Sequence, residues 1–287
     1  MDIRFQVSAL SVKIWNIFSL TLPKATNMRS LIISLQSEFY KSRKTLAFWA
    51  SILLPLAICG MITIGFFSNA EKVIARNYPP DALWGIYSGS ALGIMGMLIL
   101  PFYVIFMAFS VNNIEHKNDT WKTLFAQPLN KFSIYAAKYL YAVLLIFISL
   151  FLFAVFTIAF GYLLHALNNG LRFNEFSPVA LLSKLYLKLF LSSLGILSVQ
   201  FIISLIWGDF LKPMGIGFIG VIMGIIVATK GWPYAYLVPY SHPTLVLSLS
   251  KGKDAPDIFS REIYSSLIYA LVFFIIGYFI VARKSVK

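Results

Sequence analysis

The chain has 287 residues, of which 59% are hydrophobic and 12% are charged, and its formal net charge is +13. A soluble protein has about twice that share of charged residues, so the composition excludes an ordinary soluble domain and is typical of a chain surrounded mainly by lipid. The basic residues are not interleaved with exposed aromatic residues, and the single cysteine and three separated histidines have no metal-ligand spacing, so we expect neither a nucleic-acid partner nor a metal site.

Residues 1–28 form an N-terminal extension that does not follow the pattern of the rest of the chain. The stretch from Val7 to Leu22 is partly apolar, but Lys13 and Asn16 interrupt it, so it lacks the unbroken apolar centre of a signal peptide. Two interpretations stay open. The extension is either an interfacial helix or a stretch upstream of a translation start at Met28.

Residues 29–45 have the pattern of an amphipathic helix. Leu31, Ile32, Leu35 and Phe39 recur at helical spacing, and most of the positions between them are polar. This pattern predicts a helix that lies along the membrane surface before the first span. A plain juxtamembrane anchor is the alternative.

Six apolar segments follow, and each is about long enough to cross the hydrocarbon core as a helix. The sequence therefore predicts an all-α integral membrane fold, with residues 46–287 forming one transmembrane domain. The span centres contain hydroxyl groups and one amide, Gln200, so we expect no buried charge in the spans; Gln200 is interpreted as an interhelical contact, with a substrate contact as the alternative. The predicted spans are 46–67, 87–111, 134–165, 187–207, 214–229 and 263–282.

The distribution of lysine and arginine predicts the orientation. An even number of spans places both termini on one side, and fifteen of the basic residues fall on that side against nine on the other. Lys41, Arg43 and Lys44 directly precede the first span, where the effect of positive charge on orientation is strongest. We therefore expect a multi-pass protein of the cell membrane with both termini in the cytoplasm.

The loop between the second and third spans is predicted to contain a short helix. Asn118 or Asp119 is a suitable N-cap, residues 120–126 are long enough for two turns, and Pro128 discourages continuation. Because so short a helix is not stable by itself in water, its apolar side chains need a partner, either the helix ends of the same chain or another subunit. These side chains are Trp121, Leu124 and Phe125.

The order of these motifs resembles a known family. The segment Ser37-Glu38-Phe39-Tyr40-Lys41 is followed by a span, then by Glu115, by Asp119-Thr120-Trp121-Lys122 with Leu124 and Pro128, and by Lys138. This arrangement is similar to the membrane subunit of type-2 ATP-binding-cassette exporters, and especially to the lantibiotic-immunity and peptide-antibiotic transport permeases. The resemblance covers residues 29–287.

The resemblance implies roles for particular residues. The amphipathic segment would be the connecting helix of such permeases, and the last external segment, residues 232–243, would hold short re-entrant helices, with a plain aromatic belt as the alternative. The connecting-helix residues would be Leu35, Glu38, Phe39 and Lys41. The residues that couple the chain to an ATPase would be Glu115, Asp119, Thr120, Trp121, Lys122, Leu124, Phe125 and Pro128.

The resemblance also implies a function. The chain would be a permease subunit that moves a hydrophobic or amphipathic substrate, such as a peptide antibiotic or a lipid-like molecule. It would work with a second copy of itself or a paralogous permease, and with ATPase subunits that bind ATP and Mg. No P-loop, His-Glu-x-x-His motif or Gly-x-Ser-x-Gly motif occurs in the sequence, so we expect no catalytic residue, no cofactor bound by this chain and no enzyme activity of its own.

Three other functions compete with this one. A membrane-embedded enzyme is favoured by paired acid, base or metal-ligating residues at one depth of the membrane, and the sequence shows none. A membrane anchor or immunity protein could recruit an ATPase without transporting anything. A secondary transporter or channel is favoured by inverted repeats and by charges within the spans. The sequence shows neither of these features.

Overall fold

A computed structural model describes residues 23–118, 120–126, 128–249 and 257–283. Within these residues the regular structure is helical, and no strand occurs. The predicted extension lies outside the described residues up to position 22. The helices are α1 (Pro23–Ser42), α2 (Leu46–Ser68), α3 (Ala70–Ala75), α4 (Pro80–Lys117), α5 (Trp121–Ala126), α6 (Lys131–Leu167), α7 (Val179–Ile206), α8 (Leu211–Thr229), α9 (His242–Leu249) and α10 (Arg261–Arg283).

Six of these helices, α2, α4, α6, α7, α8 and α10, are long and apolar enough to cross a membrane. The predicted all-α membrane fold with six spanning helices is therefore confirmed. Six crossings return the chain to the side where it started, so α1 and the end of α10 lie at one end of the bundle, called the base here. The opposite end is called the far end.

Two of the spanning helices project well beyond the hydrocarbon core. Helix α4 has 38 residues and α6 has 37, which corresponds to about 55 Å each, whereas the core is about 30 Å thick. The apolar runs in the sequence mark only the part of each helix that lies in lipid. For this reason α4 begins at Pro80 rather than Tyr87, and α7 begins at Val179 rather than Leu187.

Helix α7 is the centre of the bundle, and the largest share of its apolar segment is buried. It packs against α4, α6 and α10. A buried polar contact joins it to α4, since Asn112 Nδ2 donates to Phe201 O at 3.2 Å and to Ser204 Oγ at 2.9 Å. In a lipid environment such contacts hold helices at a defined position along their axes.

An aromatic cluster closes the far end. Trp84 at the start of α4 donates its indole N–H to Phe173 O at 2.8 Å, and the two rings lie 4.9 Å apart. Tyr87 packs on the same Phe173 ring at 5.5 Å. These contacts connect α4 to the segment between α6 and α7, and Trp84 and Phe173 are both buried.

Helix α4 contains an irregular segment, Met95–Ile99, in the π conformation. Pro101 follows it and has no backbone N–H for the carbonyl of the preceding turn, which accounts for a local change of helix geometry. Helix α9 packs against this segment. Its Leu247 side chain lies so close to Gly96 that a Cβ atom on the glycine would collide with it.

Candidate functional site: a buried charge cluster at the base

Helix α1 packs with its polar side inward. Ser34, Glu38 and Ser42 are buried at successive turns and face α6, and the Ser42 hydroxyl contacts the hydroxyl of Tyr141. Met28 and Ile32 are exposed on the other side of the helix. The side of α1 that carries Met28 and Ile32 is therefore available to lipid, and the side that carries Ser34, Glu38 and Ser42 meets the transmembrane bundle.

Four charged side chains meet where α1, α4 and α6 converge. Lys138 Nζ on α6 lies 2.9 Å from Glu38 Oε2 and contacts the Glu115 carboxylate. Lys41 Nζ lies 2.8 Å from Glu38 Oε1 and 2.9 Å from Glu115 Oε1. Each carboxylate thus bridges both ammonium groups, and the four charges sum to zero. We call Glu38, Lys41, Glu115 and Lys138 the base cluster.

The complete pairing explains how the base cluster tolerates burial. Glu38, Glu115 and Lys138 are almost fully buried, whereas the Lys41 side chain is 28% exposed. Removing charges from water costs several kcal/mol per ion, and only close pairing with further hydrogen bonds offsets that cost. The cluster therefore holds three helices in one arrangement only while all four members are present.

The Lys41 ammonium remains charged throughout the physiological pH range. Burial would lower the pKa of Lys41, but the Glu38 and Glu115 carboxylates outweigh this effect and raise the pKa above its usual 10.5. A lysine whose pKa is raised by folding contributes its stabilisation fully below pH 10.5 and loses it only as the pH rises through the raised value. Lys41 therefore keeps its charge, and its pairing with the two carboxylates, at neutral pH.

The short helix α5 is attached to the base cluster through Trp121. Lys138 Nζ lies 5.6 Å from the centroid of the Trp121 ring, within the range of a cation–π interaction. The His116 ring lies 5.5 Å from the same ring. The backbone continues the attachment, since Thr120 N–H donates to Glu115 O at 3.1 Å. Helix α5 therefore begins directly against the charges that join α1, α4 and α6.

The structure brings together four of the predicted site residues, Glu38, Lys41, Glu115 and Trp121. Leu35 packs against the core, and Phe39 is exposed beside the Phe48 ring at 5.9 Å. The remaining predicted coupling residues lie at the margin of the site or beyond the described part of the chain. Thr120 and Leu124 are half-buried and Pro128 is exposed, while Asp119 and the side chains of Lys122 and Phe125 lie outside what the structure describes.

Lys138 is the member of the cluster that the predicted site residues omit. Its signal in the sequence is one lysine near the start of a long apolar helix, seven residues after Lys131. That signal is also typical of a lysine that flanks a span and sets orientation. Only the packing of α1 and α4 against α6 distinguishes the two.

A second buried charge pair lies in the far half of the bundle. Lys188 Nζ on α7 is 3.8 Å from Glu262 Oε1 at the start of α10, and both side chains are buried. The expectation that the spans contain no buried charge was therefore wrong, because Lys138 and Lys188 both lie within predicted spans. Such charges are tolerated when an opposite charge on a neighbouring helix pairs with them, and hydropathy does not reveal that neighbour.

Gln200 lies in the interior of the bundle, fully buried on α7. Its Nε2 donates to the hydroxyl of Tyr240 at 2.7 Å. Tyr240 belongs to the segment between α8 and α10, which holds two 3-10 turns, Ala235–Leu237 and Pro239–Ser241, followed by α9. Among the described residues, no group of three or more histidine, cysteine, aspartate or glutamate side chains is arranged to hold a metal ion.

The fold and the base cluster together define a class: a multi-pass membrane subunit with a short helix between two spans that is anchored to buried charges. Residues 34–224 match the family described as ABC-2 family transporter protein. The match covers well over half of the chain, so the chain belongs to this family, which makes it a membrane transport subunit rather than an enzyme in its own right. No similar protein was found among curated proteins or among solved structures.

Proposed function

We propose that this chain is the membrane-spanning permease subunit of an ATP-binding-cassette exporter and that a separate ATPase subunit drives it through α5. The observation that carries the proposal is the contact of Trp121 with Lys138. Through that contact α5, the one short helix described between α4 and α6, meets a cluster that joins α1, α4 and α6. A force applied to α5 would therefore reach three helices at once.

The ATPase subunits would bind ATP and Mg, and this chain would undergo the conformational change that moves the cargo. Displacement of α5 would press the Trp121 ring on Lys138, and the paired charges would carry α1, α4 and α6 along as a unit. Because the chain has no energy source of its own, the change between two states must come from different contacts with the ATPase in each state. Asn112 would pass the movement of α4 on to α7.

We propose that the base lies in the cytoplasm and that the chain functions beside a second copy of itself or a paralogous permease. The excess of basic residues on the side of the termini supports this orientation. Helix α10 buries the smallest share of its apolar segment, and α8 and α2 share the next smallest. Helices α8 and α10 therefore offer broad apolar faces to lipid or to another membrane subunit.

The cargo would be hydrophobic or amphipathic, such as a peptide antibiotic or a lipid-like molecule. The buried charges of the described residues are paired, and the polar groups in the middle of the bundle are hydroxyls and amides. An ion path would need charges or carbonyl rings along its length. A role like that of lantibiotic-immunity permeases is the specific form of this proposal.

Replacing Trp121 and Leu124 together by alanine is expected to reduce the amount of co-purified ATPase at least about tenfold. Truncation of an interface anchor typically costs more than 1 kcal/mol, and 1.4 kcal/mol corresponds to a tenfold change in affinity. Membrane insertion should be unchanged. The matched control is a double alanine variant at the far end, Ile74→Ala with Leu167→Ala, where both side chains are exposed. Equal ATPase recovery from both variants would contradict the coupling role of α5.

A reporter fused after Lys287 is expected to be active only in the cytoplasm. The same reporter inserted at Asn169, between α6 and α7, should be active only outside, because Asn169 and the end of α10 lie at opposite ends of the bundle. If the reporter fused after Lys287 is active outside the cell, the orientation is the opposite of the proposed one. Helix α5 would then be out of reach of a cytoplasmic ATPase. A membrane anchor that recruits the ATPase without transporting cargo would give the expected results in the co-purification and reporter tests. It would be distinguished by the absence of cargo movement in a transport assay.

A further inference from the structure

A cavity opens at the far end of the bundle, where the segment between α2 and α4 meets the segment between α6 and α7. Its volume is about 230 Å³, which is smaller than a site for a whole drug-sized molecule and suits one part of a ligand. Leu83 and Leu171 are buried in its lining, and Val73 and Ile74 add further apolar surface. The cavity therefore has the size and the lining to accept one apolar group.

The rest of the lining is polar and includes a positive charge. Asn77, Tyr78 and Arg172 line the cavity. Arg172 Nη2 donates to Tyr78 O at 3.4 Å, and Arg76 Nη1 donates to the hydroxyl of the same tyrosine at 3.1 Å. Two guanidinium groups are thus bonded to one residue of the cavity lining.

The protein neutralises these two cations only weakly. Among the described residues Arg172 forms an ion pair with Glu175 alone, at 3.7 Å, and the two side chains are 42% and 46% exposed. So exposed and so long a pair contributes little. The buried lysines of the base cluster and of the Lys188 pair, by contrast, each have a buried carboxylate partner. The positive charge beside the cavity therefore favours an anionic ligand.

An arginine beside an apolar cavity is suited to an oxyanion that is attached to an apolar group. The guanidinium presents its N–H donors in a planar fork that matches a carboxylate, and hydrogen bonds between charged groups are stronger than neutral ones. Within the described part of the chain, the Arg172 fork makes one long hydrogen bond, to Tyr78 O. Its other donors are therefore left for a ligand.

The height of the cavity above the base indicates where such a ligand comes from. Helix α1, whose exposed Met28 and Ile32 are available to lipid, keeps the base cluster at the membrane surface. From Glu115 back to Pro80, α4 rises about 52 Å, and a typical tilt of about 20° shortens this to about 49 Å. A bilayer with both headgroup layers is about 40–45 Å thick. The cavity therefore lies at or beyond the outer edge of the far headgroups, where ligands arrive from water.

We propose that this cavity binds an amphipathic anion dissolved in water, with its carboxylate on Arg172 and an adjacent apolar side chain against Leu83 and Leu171. A peptide that ends in an apolar residue has this chemistry. The idea that the bound peptide is cargo rests on the proposed function. The binding itself depends only on the cavity and its arginines.

The test measures binding of short peptides to the full chain in nanodiscs of neutral lipid, without the ATPase. The probe is an acetylated glycine-glycine-leucine tripeptide with a free carboxylate, which should bind saturably. The same peptide with a C-terminal amide should bind at least about tenfold more weakly, because it lacks the charge that Arg172 recognises. A peptide that ends in glycine should also bind roughly tenfold more weakly, because it buries no apolar side chain. If either change leaves binding as it was, the proposed site is wrong.

Three variants locate the binding at the cavity. Arg172→Gln should weaken binding of the leucine peptide at least about tenfold and remove its advantage over the amide. The matched control is Lys184→Gln, which removes a charge from an exposed position of α7 outside the cavity lining, and its binding should equal that of the parent. Glu175→Gln should strengthen binding by up to about fivefold, because it removes the competing carboxylate.

The gain expected for Glu175→Gln keeps the test independent of folding, because a misfolded variant does not bind more tightly. Equal binding by the Arg172→Gln and Lys184→Gln variants would overturn the site. So would weaker binding by Glu175→Gln, since this variant leaves every cation in place.

A final arm distinguishes a dissolved ligand from a lipid headgroup. Nanodiscs that contain phosphatidylglycerol should bind the leucine peptide as neutral discs do at physiological salt, where charges further apart than about 8 Å are largely screened. Loss of peptide binding in these discs would show that a headgroup occupies the cavity and would overturn the proposal. Peptide binding is read without the ATPase, whereas the Trp121 and Leu124 variant is read by ATPase recovery. Failure of the site and failure of the proposed function therefore give different results.

Discussion

Replacing Lys138 by methionine is expected to destabilise the protein by about 3–5 kcal/mol. Methionine has a similar length and no charge, so the change removes the ammonium and leaves the helix intact. The Glu38 and Glu115 carboxylates would then share Lys41 alone, and one buried negative charge would be uncompensated. Unfolding in denaturing detergent, followed by tryptophan fluorescence, measures the change because Trp121 packs on the lysine that is removed.

The exposed ion pair between Lys212 and Asp209 provides the matched control. Its atoms lie 3.0 Å apart, but the two side chains are 61% and 45% exposed. Exposed pairs contribute little to stability, so Lys212→Met should change the unfolding free energy by less than about 1 kcal/mol. Adding Glu115→Gln to Lys138→Met should recover part of the loss, because Glu38 and Lys41 then remain as a balanced pair. Equal effects of Lys138→Met and Lys212→Met would show that the base cluster does not hold the three helices together.

Replacing Gly161 by alanine is expected to destabilise the far end by about 1–3 kcal/mol. A Cβ atom at this position of α6 would overlap the six-membered ring of Trp84. The indole cannot move away freely, because its N–H is bonded to Phe173 O and its ring packs on that of Phe173. Insertion of extra volume into a packed core forces side chains from their preferred conformations. The measurement is the unfolding free energy together with the fluorescence maximum of Trp84.

The control for this prediction is Gly89→Ala. Gly89 lies on the same helix as Trp84, but a Cβ atom there would meet nothing within 4 Å. Alanine is favoured over glycine in a helix by up to about 1 kcal/mol, so this variant should be as stable as the parent or slightly more stable. A destabilised Gly89→Ala, or an unchanged Gly161→Ala, would contradict the importance of the Trp84 contact.

The glycines show why composition alone does not identify a contact. The step from Gly220 to Gly224 is a common one in membrane helices, and it carries no information about what packs there. In the structure the partner is Tyr240, a residue of an irregular segment rather than of another spanning helix. Gly85, Gly89 and Gly93 repeat the same spacing on α4, yet a side chain at each would meet nothing within 4 Å. Identical local patterns therefore have different environments, which only the assembled bundle decides.

The sequence by itself determined that the chain crosses the membrane six times as helices. Hydrocarbon requires about 20 apolar residues per crossing and internal hydrogen bonds for every backbone group, and both requirements are local properties of the chain. The amphipathic segment and the short helix before Pro128 follow from equally local rules.

Only the tertiary structure decided which polar groups meet. Glu38 and Lys138 are separated by 100 residues, and Glu115 and Lys138 by 23, and each resembles an ordinary charge beside a span. The same is true of Lys188 with Glu262 and of Gln200 with Tyr240. Their pairing depends on how the helices are rotated and placed against one another, and burial away from water makes each pair strong only after that packing exists.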